Sequence, residues 1–265
     1  MQYLDPRGGS SRYKINKDFF KKWSKEMAYV LGFLYADGCI IDALDSSRTR
    51  YFSFFSRDKD LLNDIKRILQ SDHPLRYRAP RKKKYPDGKI YESKEAYLLR
   101  IASKEMYADL ENLGLMPNKS KTIKFPDFIP NKYFSHFTRG YFDGDGCVHI
   151  STVKNKNGQR VFKKLNVIFT SGSKLFLEGL NNNLEKSTTV SLKNINYSHR
   201  AYQLRYCTKD SIELFKFLYK NTFKEIYLKR KLEIFLRYFY EYSLKIDRKT
   251  KNIFNNLKMA RYPSS

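Results

Sequence analysis

The chain has 265 residues, with 52 Lys and Arg against 27 Asp and Glu, so its formal net charge is +25. An excess of this size selects a polyanion, either a phosphate backbone or an anionic membrane surface, with affinity that falls steeply with salt. No stretch approaches the roughly 18–20 uninterrupted apolar residues of a spanning helix, and Met1-Gln2-Tyr3-Leu4-Asp5-Pro6 lacks a secretory apolar core. The expectation is a soluble intracellular protein, in a bacterium, a phage-infected cell or an organelle, with no membrane partner.

In chain order, residues 1–17 read as a basic extension, loosely ordered through residue 15 around Gly8, Gly9, Ser10 and Ser11. A helix follows from Ser24 to Asp37. It closes on Gly32-Phe33-Leu34-Tyr35-Ala36-Asp37-Gly38-Cys39, where the glycine after Asp37 stops the helix and leaves one carboxylate at its end. Strands are expected near Cys39 to Ala43 and Tyr51 to Ser56, then an amphipathic helix from Lys59 to Gln70 with Asp58 as N-cap. A second strand pair spans Arg76 to Lys84 and Glu92 to Ile101, before a helix capped by Ser103. Between Arg76 and Lys89, seven of fourteen residues are basic. That run reads as a phosphate-gripping hairpin with Tyr85-Pro86-Asp87-Gly88 at its tip, a solvated loop being the alternative.

Residues 116–131 carry Pro117, Pro126 and Pro130 and read as a linker between a first repeat, 18–115, and a second, 132–245. The second repeat starts with a helix from Tyr133 to Asp145, closing on Gly140-Tyr141-Phe142-Asp143-Gly144-Asp145-Gly146-Cys147. That is the first signature again, 108 residues later. Strands follow at Cys147 to Thr152 and Val161 to Thr170, where Leu165, Val167 and Phe169 alternate with Lys164 and Asn166. Next come a helix from Lys174 to Leu184 capped by Ser173, strands at Thr188 to Lys193 and Ala201 to Cys207, and a helix capped by Thr208. Phe223 to Tyr242 has a long helical pattern, and the tail at 246–265 is expected to be loosely ordered after Arg248. The thiols of Cys39, Cys147 and Cys207 show no Cys-x-x-Cys spacing; with four histidines in the chain they are read as reduced and buried, not as zinc ligands.

Further matches make the repeat an internal duplication. Tyr97-Leu98-Leu99-Arg100 corresponds to Tyr202-Gln203-Leu204-Arg205 at an offset of 105, and Phe54-Phe55-Ser56 to Phe169-Thr170-Ser171 at 115. The fold class is therefore α+β, in two pseudo-symmetric α-β-β-α-β-β-α repeats. Ala28, Gly32 and Ala36, like His136, Gly140 and Gly144, recur at i, i+4 and i+8, so each motif helix has a ridge of mostly small side chains that permits close packing. Two carboxylates at helix C-termini repel one another unless a cation intervenes, and magnesium suits oxygen ligands and retained waters.

The paired signatures, the Arg139-Gly140-Tyr141-Phe142-Asp143-Gly144-Asp145-Gly146 wording and the later Leu228-Lys229-Arg230-Lys231 resemble the LAGLIDADG homing endonucleases in their single-chain, two-motif form. The resemblance implies a saddle of antiparallel sheets over double-stranded DNA around two central motif helices. It further implies a monomeric, intron-encoded, site-specific nuclease that cuts both strands with Mg2+ or Mn2+, Ca2+ being a non-catalytic substitute. Asp37 and Asp145 would be catalytic and metal-binding, with Ala36 and Gly144 as further metal ligands. Lys119 and Lys229 correspond to the family's basic residues beside the phosphate, with Arg57 a weaker counterpart. Tyr35 stands where the family often has an acid, whereas Asp143 keeps it, a position that is usually structural. An RNA-splicing maturase or a non-cleaving nucleic-acid-binding protein of the same fold is the alternative.

DNA would be read from the wet faces of the strands, since alternation turns every second side chain to one face. The candidates are Arg48, Arg50, Tyr51, Ser53, Arg76, Arg78, Arg81, Lys82 and Arg100 in the first repeat. In the second they are His149, Ser151, Lys164, Asn166, Ser191, Lys193, Gln203 and Arg205.

Overall fold

The computed structural model describes residues 13–47, 49–84, 88–220, 226–242 and 246–261. The chain forms two compact units, one of Met1–Trp23 with Asp37–Lys119, the other of Ser24–Ala36 with Ser120–Ser265. The first motif helix, α1 (Lys25–Asp37), thus packs with the second unit almost to its last residue. Its start is capped by Ser24, whose Oγ accepts the Met27 N–H at 3.0 Å.

The first unit contains β1 (Gly38–Ala43), a short α2 (Leu44–Ser47), β2 (Thr49–Ser56), α3 (Lys59–Ile68) and β3 (Leu75–Arg78). These are followed by β4 (Lys82–Lys84), β5 (Ile90–Glu92), β6 (Ala96–Ala102) and α4 (Lys104–Asn112). Its antiparallel sheet runs β1-β2-β6-β3. Phe52, Phe54, Leu99 and Ile101 are fully buried on one face with Leu62 and Ile65 of α3 and Met106 and Leu110 of α4. Each fully buried side chain of this size contributes about 1.5–3 kcal/mol, so the alternation fixes which face of the strand is wet. Ser103 caps α4 as expected, accepting from Met106 N–H at 3.2 Å. Asp58 takes the N-cap position of α3 without a capping side-chain bond.

The basic run folds as two pieces. Only Arg76 and Arg78 lie in the main sheet; β4 and β5 form a separate exposed hairpin, with Lys83 opposite Tyr91. Its expected tip at 85–87 lies outside the described residues. Upstream, Lys14 and Asn16 are tied by backbone hydrogen bonds to Asp72 and Leu69, so order extends further towards the N-terminus than expected.

The second unit continues with α5 (Asn131–Asp145), β7 (Gly146–Lys154), β8 (Arg160–Ser171), α6 (Lys174–Ser187), β9 (Ile195–Ser198), β10 (Ala201–Tyr206), α7 (Thr208–Tyr219), α8 (Lys229–Glu241) and α9 (Arg248–Arg261). Its sheet, β7-β8-β10-β9, repeats the order of the first. Phe54 pairs with Gly38 and Leu99 in one sheet, as Phe169 does with Gly146 and Leu204 in the other, so the duplication holds at the level of register.

Four expectations need correction. The strand placed at Thr188 to Lys193 lies further on, as β9. Residues before it are held as a loop by Asn181, whose side chain donates to Lys193 O at 2.9 Å and accepts Lys193 N–H at 3.3 Å. Thr208 is the first residue of α7 rather than its cap; Cys207 is the cap residue, and the Thr208 hydroxyl accepts the Leu165 N–H. The helix expected from Phe223 begins only at Lys229, residues 221–225 being outside the described ones. The tail is not loose up to Arg261: Asp247 caps α9 through Thr250 N–H at 3.0 Å, and Thr250, Ile253 and Leu257 bury one stripe. Among the described residues no helix is long and apolar enough to cross a membrane.

Candidate active site and nucleic-acid interface

The two motif helices cross at their glycines. A Cβ on Gly32 would lie 2.0 Å from the Phe137 carbonyl oxygen, and one on Gly140 would lie 2.0 Å from that of Tyr29. The relation is reciprocal, since Phe137 and Tyr141 occupy in α5 the places of Tyr29 and Phe33 in α1. The small-residue ridge therefore brings backbone against backbone, within the second unit.

Beyond the crossing, α1 ends on Asp37, which is exposed, and α5 on Asp145, which is half-buried. The glycine that ends α5 does not take the left-handed cap conformation. Gly146 has φ −84° and ψ 156°, extended backbone leading straight into β7. Glycine is needed there for space, because a Cβ would sit 2.4 Å from the Phe142 oxygen. The terminal carbonyls are satisfied instead by Lys231, whose buried Nζ lies 2.5 Å from Phe142 O, 2.8 Å from Asp143 O, 3.2 Å from Gly144 O and 2.5 Å from Gly146 O. A positive charge at a helix C-terminus also opposes the macrodipole. Lys231 was missed by motif reading, which favours Lys229; Lys229 is exposed at the first position of α8. The signal was present in the spacing, since Lys231, Phe235 and Phe239 fall at i, i+4 and i+8 on the buried stripe of α8.

Asp143 joins three helices. Its Oδ2 accepts from Tyr29 Oη of α1 at 2.7 Å and from the Leu228 N–H before α8 at 2.8 Å, while its buried Oδ1 has no hydrogen-bond partner among the described residues. Burial raises its pKa above the ordinary carboxylate value, against the opposing pull of Lys231, Tyr29, the Leu228 N–H and Arg139. Tyr35, at the equivalent place in α1, is buried against Phe137 and Phe176. Arg139 is likewise internal, donating to Leu218 O and Ile226 O.

Asp143→Ala strips two buried donors of their acceptor and Lys231 of a counter-charge, so it should destabilise the protein by about 3–5 kcal/mol; Asp143→Asn, which keeps an acceptor, should fall between it and wild type. A raised folded-state pKa gives a contribution fully present below the ordinary carboxylate value and lost as pH rises through the raised one. The difference in unfolding free energy between wild type and Asp143→Asn should therefore shrink with rising pH in denaturant titrations.

The wet faces sort the base-reading candidates. His149, Ser151, Lys164, Asn166, Gln203 and Arg205 share one face of the second sheet, opposite the face of Val148, Leu165, Val167 and Leu204. Tyr51, Ser53, Arg76, Arg78 and Arg100 share the corresponding face of the first. Arg50 does not. It has the parity of Phe52, stacks over Tyr107 of α4, and is neutralised by Asp42 at 2.9 Å and Glu111 at 3.9 Å. Ser191 and Lys193 precede the strand, and Lys193 is paired with Asp210 at 2.7 Å. The shifted β9 places Asn196 and Ser198 on the wet face instead, two positions the sequence reading missed. Arg81 and Lys82 lie on the hairpin, outside the main sheet, and Arg48 is outside the described residues. Arg57 is exposed just after β2, and Lys119 is buried at the start of a single 3-10 turn. The cysteines are exposed, not buried: Cys39 and Cys147 take wet-face positions in β1 and β7.

Residues 135–218 match the LAGLIDADG-like domain family. Solved structures of similar fold include the homing endonuclease I-WcaI bound to its DNA recognition sequence, at 15% identity over 81% of this chain and 88% of that one, with a TM-score of 0.50. The LAGLIDADG meganuclease I-CpaMI bound to uncleaved DNA aligns at 12% identity over 90% and 98%, with a TM-score of 0.52. The I-SmaMI LAGLIDADG homing endonuclease bound to cleaved DNA aligns at 13% over 91% and 98%, with a TM-score of 0.50. No curated protein sequence matches the chain. This is a protein of LAGLIDADG fold, with the motif in both halves and a family-matched domain in the second.

Proposed function

We propose that the protein is a monomeric, site-specific DNA endonuclease of the homing type that hydrolyses both strands of a long asymmetric target. The observation that carries this reading is the reciprocal glycine crossing of two helices that each end in an aspartate. Asp37 and Asp145 supply the carboxylates for a hard divalent cation, Mg2+ or Mn2+, with Ca2+ binding but not supporting cleavage. Among the described residues no cluster of three or more His, Cys, Asp or Glu could hold a metal. A site of two carboxylates fits magnesium, which usually takes one or two, keeps several waters and completes its shell with phosphate oxygens. When bound, the ion polarises the phosphate and activates a water. The backbone carbonyls of Ala36 and Gly144 are further donors to the ion, that of Gly144 also accepting from Lys231. Lys119 and Lys229 place positive charge beside the phosphate, and the wet faces of both sheets bind the duplex within the cell that makes the protein.

The test is selection from a randomised duplex library. With Mg2+ the protein should cut one family of long sites in both strands. With EDTA it should bind the same sites without cutting, and cutting in EDTA would refute the metal assignment.

A further inference from the structure

Building on the DNA-endonuclease reading, we propose that Arg100 and Arg205 are a matched pair of specificity residues, each reading one guanine in the major groove of its own half-site. They occupy the same place in the two sheets: interior strands β6 and β10, wet face, with Arg100 opposite Ser53 and Arg205 opposite Ile168, which are equivalent positions of β2 and β8. Interior strands face the middle of whatever groove the sheet enters, where base edges lie, whereas phosphates flank it.

Each arginine is held, but by a different neighbour. The Arg100 guanidinium lies 3.8 Å from the centre of the Tyr51 ring, and its Nε is buried without a hydrogen-bond partner among the described residues. The second sheet has Asn166 where the first has Tyr51, so no ring is available there. Gln203 compensates from the place of Leu98, its Oε1 accepting from Arg205 Nε at 3.0 Å and Nη2 at 2.5 Å. In Arg100 the Nε side of the fork is buried, and in Arg205 it is taken up by Gln203, which leaves the outer edge of the guanidinium for a ligand. Neither residue has an ion pair among the described residues, in contrast to Arg50 with its two carboxylates. A planar, pre-oriented pair of donors on a base-facing surface matches the O6 and N7 acceptors of guanine. The same fork also matches a phosphate bidentately, so it is the interior-strand position of both residues that selects a base edge.

The experiment compares sites bound in EDTA from a randomised duplex library by the wild-type chain and by Arg100→Ala, Arg100→Lys, Arg205→Ala and Arg205→Lys. The wild-type profile should show a strongly preferred guanine in each half. Each Arg100 variant should flatten one of them by about 5- to 150-fold, each Arg205 variant the other, and lysine should not restore either because it lacks the fork. A uniform loss of affinity with an unchanged profile would overturn the proposal, as would flattening at a base other than guanine. Failure of the wild-type chain to enrich any sequence would overturn the functional reading, and this inference with it.

Discussion

Asp145→Asn, or Asp37→Asn, should lower double-strand cleavage by about 10²- to 10⁴-fold while leaving affinity for the target within a few-fold of wild type. Asparagine keeps the size of the side chain and one acceptor oxygen, so neither the helix end nor the course of β1 or β7 should change. Only the negative charge proposed to recruit a hard cation is lost. On the proposed reading, binding rests on basic and polar side chains spread over two sheets, and removing an acid from a site that receives phosphates should, if anything, tighten it. Plasmid linearisation at fixed Mg2+, with mobility shifts in EDTA, separates the two quantities. Undiminished cutting by either variant would remove that aspartate from the reaction.

The duplicated framework was legible because burial enforces it. Phe52 and Phe54, or Leu165, Val167 and Phe169, leave no choice about which face is core, and a slip of one residue would expose them all. The same parity test would have excluded Arg50, which cannot share a face with Tyr51 and Ser53 on one strand. What stayed hidden depends on partners distant in sequence. The start of β9 is set by Asn181 on α6 gripping Lys193, and nothing local to residues 188–194 announces it. The order of α9 comes from an aspartate cap and a stripe of three buried side chains beyond a charged, asparagine-rich surface that reads as a solvated tail.

The candidate site divides in the same way. Its aspartates follow from the motif. Their surroundings do not, because Lys231, 85 to 89 residues downstream of its acceptors, is the group that closes α5. A motif-based choice between Lys229 and Lys231 has no access to that distance, but the helical stripe does. Asp143 shows the complementary case. Its family role as a structural acid was expected, yet which donors it would satisfy, Tyr29 on the other motif helix and the backbone before α8, is tertiary information.

Gly32→Ala and Gly140→Ala should each destabilise the protein by about 2–4 kcal/mol, and the sign is the diagnostic part. In an unconstrained helix interior, Gly→Ala is worth about 1 kcal/mol in the opposite direction, through backbone entropy alone. Here the added carbon meets a main-chain carbonyl at 2.0 Å from either side, and neither helix has a flexible side chain at that point that could swing away. The helices must separate by an ångström or more, which disturbs the packing of Tyr35 on Phe137 and strains the Tyr29–Asp143 bond. Because the two glycines guard one shared crossing, separation forced by the first substitution makes room for the second. The double variant should then lose clearly less than the sum of the singles, a coupling measurable by denaturant unfolding of all four proteins. Cleavage should fall as well, since on the proposed reading the helix ends that carry the aspartates depend on this crossing. Strict additivity, or stabilisation by either alanine, would mean that the two backbones are not in contact at these glycines.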